Sequence, residues 1–185
     1  HTSGQVVVKT LFDEGLSRGV DEVFREAQAL EGLDHPAIIR IRDCEYADKA
    51  GARPYFVMDY FPPGQTLDSL VEQSGPLRVE EAQPLMKLAA SGLERAHARS
   101  ILHRDIKPGN LLVRRGPSGW ECKLIDFGLA LRSDQAGSTA RSSLDKTLAG
   151  VSIAGTLDYA APEQMGKGRG ATVGTWSGVY GWARL

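Results

Sequence analysis

His103-Arg104-Asp105-Ile106-Lys107-Pro108-Gly109-Asn110, with Asp126-Phe127-Gly128 beginning sixteen residues after Asn110, decides how the rest of this sequence is read. Four of these side chains, Asp105, Lys107, Asn110 and Asp126, are costly to gather in a packed core unless they are paired or bind something. Gly128 permits a tight turn that would aim Asp126 inward. A turn packed on a buried histidine is the plainer account of His103, but it leaves the four polar groups without a reason to be there.

Working back toward the N-terminus, Val79 to about Arg99 places Ala82, Leu85, Met86, Ala89, Leu93 and Ala96 on one side of a helix. Another helix is expected after Thr66. Asp59 to Gly64 contains Pro62, Pro63 and Gly64, which interrupt regular structure and mark a connector. Before it, Ile38–Glu45 and Arg53–Tyr60 are expected as short strands, and Asp21–Leu33 as an amphipathic helix ended by Asp34, His35 and Pro36. Gln5–Leu11, a β-branched run enclosing Lys9, is expected as a strand. Downstream of the opening stretch, Leu111–Val113 and Cys122–Ile125 are expected as strands about a turn at Gly116–Gly119. Ser133–Ser152 has no sustained periodicity and is expected as a loop. Gly166–Gly181 carries five glycines before Val179 and forms helix weakly by propensity.

The totals set outer limits. The chain has 185 residues, 42% of them hydrophobic, enough for one substantial core. With 22 basic and 23 acidic residues, the net charge of -1 gives no electrostatic reason to expect nucleic acid as a partner. Cys44 and Cys122 are the two cysteines, and neither has a neighbouring ligand that would suggest a metal pair; a reduced, cytoplasmic setting is expected. No run of about 18 apolar residues occurs, so no membrane segment is expected in this chain, while a longer parent could be membrane-tethered elsewhere.

The HRDIKPGN stretch, DFG at Asp126–Gly128 and Ala161-Pro162-Glu163, in this order, resemble the catalytic-loop, metal-binding and APE motifs of eukaryotic-like serine/threonine protein kinases of the bacterial type. The resemblance implies an α+β, two-lobed protein kinase-like fold, truncated in both lobes. Residues 1–58 would form a partial N-lobe, 59–64 the hinge and 65–185 a partial C-lobe. It implies ATP and Mg2+ as cofactors and phosphoryl transfer to serine or threonine of a protein substrate. Asp105 would orient the substrate hydroxyl and accept its proton, with Lys107 near the transferring group. Asn110 and Asp126 would hold the metal. His103, Phe127 and Leu30 resemble members of the hydrophobic spine that joins the lobes.

Lys9 resembles the lysine that reaches the ATP phosphates, and Phe24–Leu30 resembles the helix whose glutamate holds it, implying a Lys9–Glu26 pair with Glu31 as the rival carboxylate. In the nucleotide cleft, Val7 would lie above adenine, Leu112 beneath it and Met58 at its back. The backbone of Asp59, Tyr60 and Phe61 would hydrogen-bond to the base. Gly155-Thr156-Leu157-Asp158-Tyr159 resembles the GTxxY stretch that favours serine or threonine as the acceptor. Self-phosphorylation within Ser133–Ser152 is expected, foremost at Thr147 and Ser143, with Arg104 as the clamp for the added charge.

Departures from the family pattern are equally specific. The resemblance starts at the third strand, after the glycine-rich phosphate loop, and ends early in the central C-lobe helix. Gly178 stands where the family's WSDVY pattern carries an aspartate that holds the catalytic-loop backbone. A piece of a larger active kinase is therefore the first expectation, with little activity in the isolated chain. A catalytically impaired pseudokinase or nucleotide-binding interaction module is the alternative. A small-molecule phosphotransferase would share the catalytic and metal aspartates, but GTLDY and APE favour protein substrates.

Overall fold

The alternation Tyr55-Phe56-Val57-Met58 is the pattern of a strand with one wet and one dry face. In the computed structural model, which describes residues 4–10, 28–47, 54–127, 158–167 and 171–185, this segment is the middle strand of a sheet. Phe56 and Met58 are buried, whereas Tyr55, Val57 and Asp59 are half-buried. The sheet has the order β1-β3-β2, with β1 at Val6–Thr10, β2 at Ile41–Tyr46 and β3 at Pro54–Asp59, all antiparallel. Register pairs Val7 with Met58 and Lys9 with Phe56, so these four side chains share one face. Lys9 thereby projects from the face that carries the core.

The expected strand over Ile38–Glu45 is displaced. Its first residues leave the β3 edge and bond to β6 (Gly119–Leu124): the Ile39 N–H donates to the Leu124 carbonyl at 3.0 Å, and the Leu124 N–H to the Ala37 carbonyl at 2.7 Å. Ile38 and Leu124 form a parallel bridge, and pairing with β3 begins at Ile41 with a bulge before Asp43. These bonds tie the first sheet's flank to the second sheet. Upstream of them, residues 28–31 are helical. The rest of the helix expected over Asp21–Leu33 lies outside the described residues.

After the connector come β4 (Gln65–Thr66) and α1 (Leu67–Ser74), which buries Leu67 and Leu70 and stops at Gly75 with φ 78°. Helix α2 spans Val79–His97, with Glu80 and Glu81 in its first turn and Arg95 and His97 in its last, a distribution that complements the helix dipole. Leu85, Ala89, Gly92, Leu93 and Ala96 form its buried stripe. A side chain at Gly92 would stand 3.1 Å from a Leu124 methyl, so the glycine lets α2 close on β6.

Strand β5 (Leu111–Gly116) pairs with β4 and β6 around the two-residue turn Pro117-Ser118. Leu111, Val113, Cys122 and Leu124 point inward from this hairpin and are each 1% exposed. Burial of such side chains contributes about 1.5–3 kcal/mol apiece before chain entropy is counted.

The glycine-rich tail forms the helix that its resemblance to the start of the central C-lobe helix implies: α3 runs from Thr175 to Ala183. Packing overrides its propensity. Ser177, Gly178 and Gly181 are the buried residues, and the missing side chains let the helix lie against the catalytic loop. A Cβ on Gly181 would meet the Ile106 Cβ at 3.0 Å, the Ile106 carbonyl at 3.2 Å and the Tyr159 carbonyl at 3.3 Å. Trp182 anchors the same helix by donating from Nε1 to the Met86 carbonyl of α2 at 3.1 Å.

Candidate active site

The HRD loop connects α2 to the turn of 3-10 helix at Pro108–Asn110. His103 is fully buried and its ring lies 4.5 Å from that of Phe127, centroid to centroid, at a tilt of 47°. Burial pushes its pKa down to about 4, against the opposing effects of the Asp105 carboxylate, the Ile125 backbone and the Asp126 carboxylate. His103 is thus a neutral, structural ring. Leu30 and Phe127 belong to one buried core. Arg104 and Asp126 both have left-handed backbones, with φ 63° and 61°, a conformation that is uncommon outside glycine and concentrates at functional sites.

Asp105 is held from two directions. Asn110 donates from Nδ2 to Asp105 Oδ2 at 2.9 Å and to the Asp105 carbonyl at 2.8 Å. Lys107 Nζ lies 3.0 Å from the same Oδ2. With both bonds made by Nδ2, the amide oxygen of Asn110 remains its acceptor and candidate metal ligand. Asn110 is also fixed through its backbone, accepting from the Ile125 N–H at 3.0 Å, which brings it beside the residue preceding Asp126. Asp126 Oδ1 is 2.6 Å from Lys9 Nζ, joining the first sheet to the catalytic segment. The structure thus pairs Lys9 with Asp126 and gathers Asp105, Lys107 and Asn110, and the Ile125–Asn110 backbone bond links the two groups.

Glu26 lies outside the described residues, as do Gly128, Thr156 and Ser133–Ser152. Among the described residues the lysine's carboxylate partner is Asp126.

Asn110 and Asp126, the residues expected to hold a metal, offer an amide oxygen and a carboxylate, oxygen donors of the kind magnesium takes. Among the described residues no cluster of three or more His, Cys, Asp or Glu is placed to hold an ion. One amide oxygen and one carboxylate leave most of an octahedron to phosphate and water, which is how magnesium is commonly held.

Val7 and Met58 stand opposite each other in register, and Leu112 lies half-buried on β5. The connector's backbone is partly spoken for: the Asp59 N–H donates to the Arg40 carbonyl at 3.0 Å, and the Phe61 carbonyl accepts from the Gly64 N–H at 2.7 Å. The Asp59 N–H is thereby committed within the protein, whereas the Phe61 carbonyl keeps a second lone pair. Phe61 itself is buried, with the Arg114 guanidinium 4.1 Å from its ring centroid. Arg114 also donates to the Pro62 carbonyl and is oriented by Glu121 at 2.6 and 2.8 Å. A cavity of about 370 Å3 bordered by Ile39, Tyr60, Phe61, Leu88 and Arg114 lies here, and none of Lys9, Asp105, Asn110 or Asp126 lines it.

Four residues of this region escape a reading of the sequence alone. Arg114 and Glu121 are opposed in the β5–β6 register, a signal that becomes visible once the hairpin is centred on Pro117-Ser118. Ser177 donates to Glu163 Oε1 at 2.5 Å, giving this carboxylate a partner on α3. Gln164 donates from Nε2 to the Arg104 carbonyl at 2.6 Å, and nothing local to the APE stretch announces it.

Comparison with known proteins agrees with this geometry. The chain matches the protein kinase domain family over residues 1–181. It is 36% identical over 157 residues to serine/threonine-protein kinase PknB of Mycolicibacterium smegmatis, a match covering 84% of this chain and 23% of that protein. It is 33% identical over 185 residues to serine/threonine-protein kinase pkn2 of Myxococcus xanthus, covering 98% of this chain and 20% of that protein. The crystal structure of the Mycobacterium tuberculosis PknI kinase domain superposes with a TM-score of 0.70 at 24% identity, over 98% of this chain and 61% of that one. The last comparison establishes the two-lobed kinase fold, of which the chain spans a part. With its motifs, its fold and this extent of similarity to bacterial serine/threonine-protein kinases, the chain belongs to the protein kinase domain family.

Proposed function

We propose that these residues carry out ATP- and magnesium-dependent phosphoryl transfer to serine or threonine hydroxyls of a protein substrate, in the full protein of which this chain supplies the catalytic residues. The observation that carries the reading is the shared hold on Asp105: Asn110 and Lys107 converge on its Oδ2 while Asn110 is backbone-bonded beside Asp126. That arrangement sets a proton acceptor next to a place where phosphate charge can be met.

Asp105 accepts the proton of the acceptor hydroxyl as the hydroxyl oxygen forms its bond to the terminal phosphorus. The bond from that phosphorus to the bridging oxygen breaks, and ADP carries away the electron pair. Lys107, next to Asp105, meets charge on the transferring group, and Lys9 meets charge on the phosphates behind it. Magnesium between Asn110 and Asp126 would neutralise phosphate charge and fix the orientation of the phosphate chain. Asn110 restrains Asp105 throughout, so that its carboxylate stays aimed at the acceptor.

The decisive experiment is transfer of labelled phosphate from ATP to a generic protein acceptor, followed by phosphoamino-acid analysis. Phosphoserine or phosphothreonine that disappears in Asp105→Asn supports the proposal. Label on tyrosine alone, or transfer indifferent to Asp105→Asn, overturns it.

A second reading, a nucleotide-binding module with impaired transfer, is favoured by one feature. His97 Nε2 is buried with no hydrogen-bond partner among the described residues and faces Gly178, where a Cβ would stand 3.2 Å away. The family's aspartate is missing at that point. Magnesium-dependent nucleotide binding without any transfer would establish this reading in place of the first.

A further inference from the structure

Asp105 sits between two peptide planes, and the one on its N-terminal side is held at both edges by side chains. The Arg104 carbonyl accepts from Gln164 Nε2 at 2.6 Å, and the N–H of the same peptide, that of Asp105, points to His103 Nδ1 at 3.4 Å. A planar, trans peptide gripped at its oxygen and its nitrogen cannot rotate about the chain axis. Arg104 has φ 63°, a conformation that persists only where the surroundings impose it.

The Gln164 amide is itself fixed. Its Oε1 accepts from the Ala161 N–H at 3.0 Å while Nε2 faces a carbonyl, so its orientation is set by a donor on one side and an acceptor on the other. Its neighbour Glu163 accepts from Ser177 Oγ at 2.5 Å, and Ser177 Oγ accepts from the Gly174 N–H at 3.1 Å, fastening this segment to the start of α3. The same helix abuts Ile106 through Gly181. Both residues flanking Asp105 are thus braced, Arg104 through Gln164 and Ile106 through α3.

We infer that Gln164 is a positioning residue for the phosphoryl-transfer reaction: by gripping the Arg104 carbonyl it fixes the Arg104–Asp105 peptide and with it the aim of the Asp105 carboxylate. The inference rests on the transfer reading above. Gln164 touches neither nucleotide nor acceptor in this role.

Two substitutions in the full-length protein separate this role from simple structural support. Gln164→Glu keeps the acceptor for the Ala161 N–H but places a carboxylate oxygen, not a donor, against the Arg104 carbonyl. Gln164→Met keeps the length and removes both bonds. The expected result for each is a kcat lowered roughly 10- to 100-fold, because small misplacements of a reacting group are costly. Nucleotide affinity should stay within about twofold and the thermal midpoint of Gln164→Glu should be little changed. Amide hydrogen exchange at Asp105 should accelerate in both. A Gln164→Glu variant with parental kcat and parental exchange at Asp105 overturns the inference, as does a loss of kcat matched by loss of nucleotide binding and a collapse of the melting transition. If the parent protein transfers no phosphate, the transfer reading fails on its own, while exchange at Asp105 still decides whether Gln164 grips the peptide. Should one variant fail to fold, the other supplies the test.

Discussion

Asn110 Nδ2 lies 2.9 Å from Asp105 Oδ2 and 2.8 Å from the Asp105 carbonyl, so one amide group restrains both the side chain and the backbone of the proposed base. Its oxygen is left for a metal. A single residue thereby couples the aim of the base to the phosphate end of the site.

Asn110→Ala should damage two properties at once. Transfer should fall by about a hundredfold or more, since Asp105 loses its restraint, and the magnesium concentration for half-maximal activity should rise as a ligand is lost. Magnesium titrations of initial rate at fixed ATP measure both. A variant with a reduced rate but an unchanged magnesium requirement would confine Asn110 to holding Asp105.

The Lys9–Asp126 pair invites the opposite contrast, between stability and function. Its side chains are 32% and 24% exposed, so solvent screens the attraction and the pair adds no more than about 1 kcal/mol to folding. Lys9→Met should leave the denaturation midpoint nearly unchanged. Phosphoryl transfer should nevertheless drop by about a hundredfold, because the lost cation is the one proposed to meet the charge of the nucleotide phosphates. Urea denaturation and initial-rate assays on the same preparation decide it; a large loss of stability would mean that the ion pair is chiefly a bolt between the sheets.

Much of this site was legible because its chemistry is compressed into short segments. Asp105, Lys107 and Asn110 fall within six consecutive positions, and the β5–β6 hairpin, which pairs Leu111 with Leu124, returns the chain toward them just before Asp126. Tyr55–Met58 declared its strand through a two-residue alternation that β3 realises in full. What stayed hidden depends on contacts between distant segments. Ala37 and Ile39 could have continued β2, yet their backbone bonds go to Leu124, a choice no local pattern records. Gly178 and Gly181 argue against helix by propensity, but the same absence of side chains allows α3 to reach Ile106 and His97. The grip of Gln164 on Arg104 spans 60 residues and has no local signature.

His103 should make stability depend on pH in a defined window. The unfolded chain takes up a proton near 6.5, while the folded, buried ring does so only near about 4. Between those values the unfolded state holds the extra proton, so stability falls as pH falls from about 6.5 to about 4 and this contribution is complete above that window. The full effect is about 3 kcal/mol. Chemical denaturation at several pH values, compared with His103→Phe, isolates it from the carboxylates. Parallel curves for the two proteins would show that His103 is not the group responsible.

Two alanine substitutions on α3 should move stability in different directions. Alanine in place of glycine favours a helix by about 1 kcal/mol. At Gly178 the new Cβ would meet only the His97 ring, at 3.2 and 3.4 Å, and a side chain at the end of α2 can give by a few tenths of an ångström. Gly178→Ala should therefore be neutral or stabilising. At Gly181 the neighbours are the Ile106 Cβ at 3.0 Å and two carbonyl oxygens, of Ile106 and Tyr159, at 3.2 and 3.3 Å. Backbone cannot step aside without moving the loop that carries Asp105, so the overpacking cost of about 1–3 kcal/mol exceeds the helical gain. Gly181→Ala should lower the thermal midpoint and also the transfer rate, whereas Gly178→Ala should lower neither. Equal melting temperatures for the two variants would mean that α3 does not bear on the catalytic loop as closely as its glycines allow.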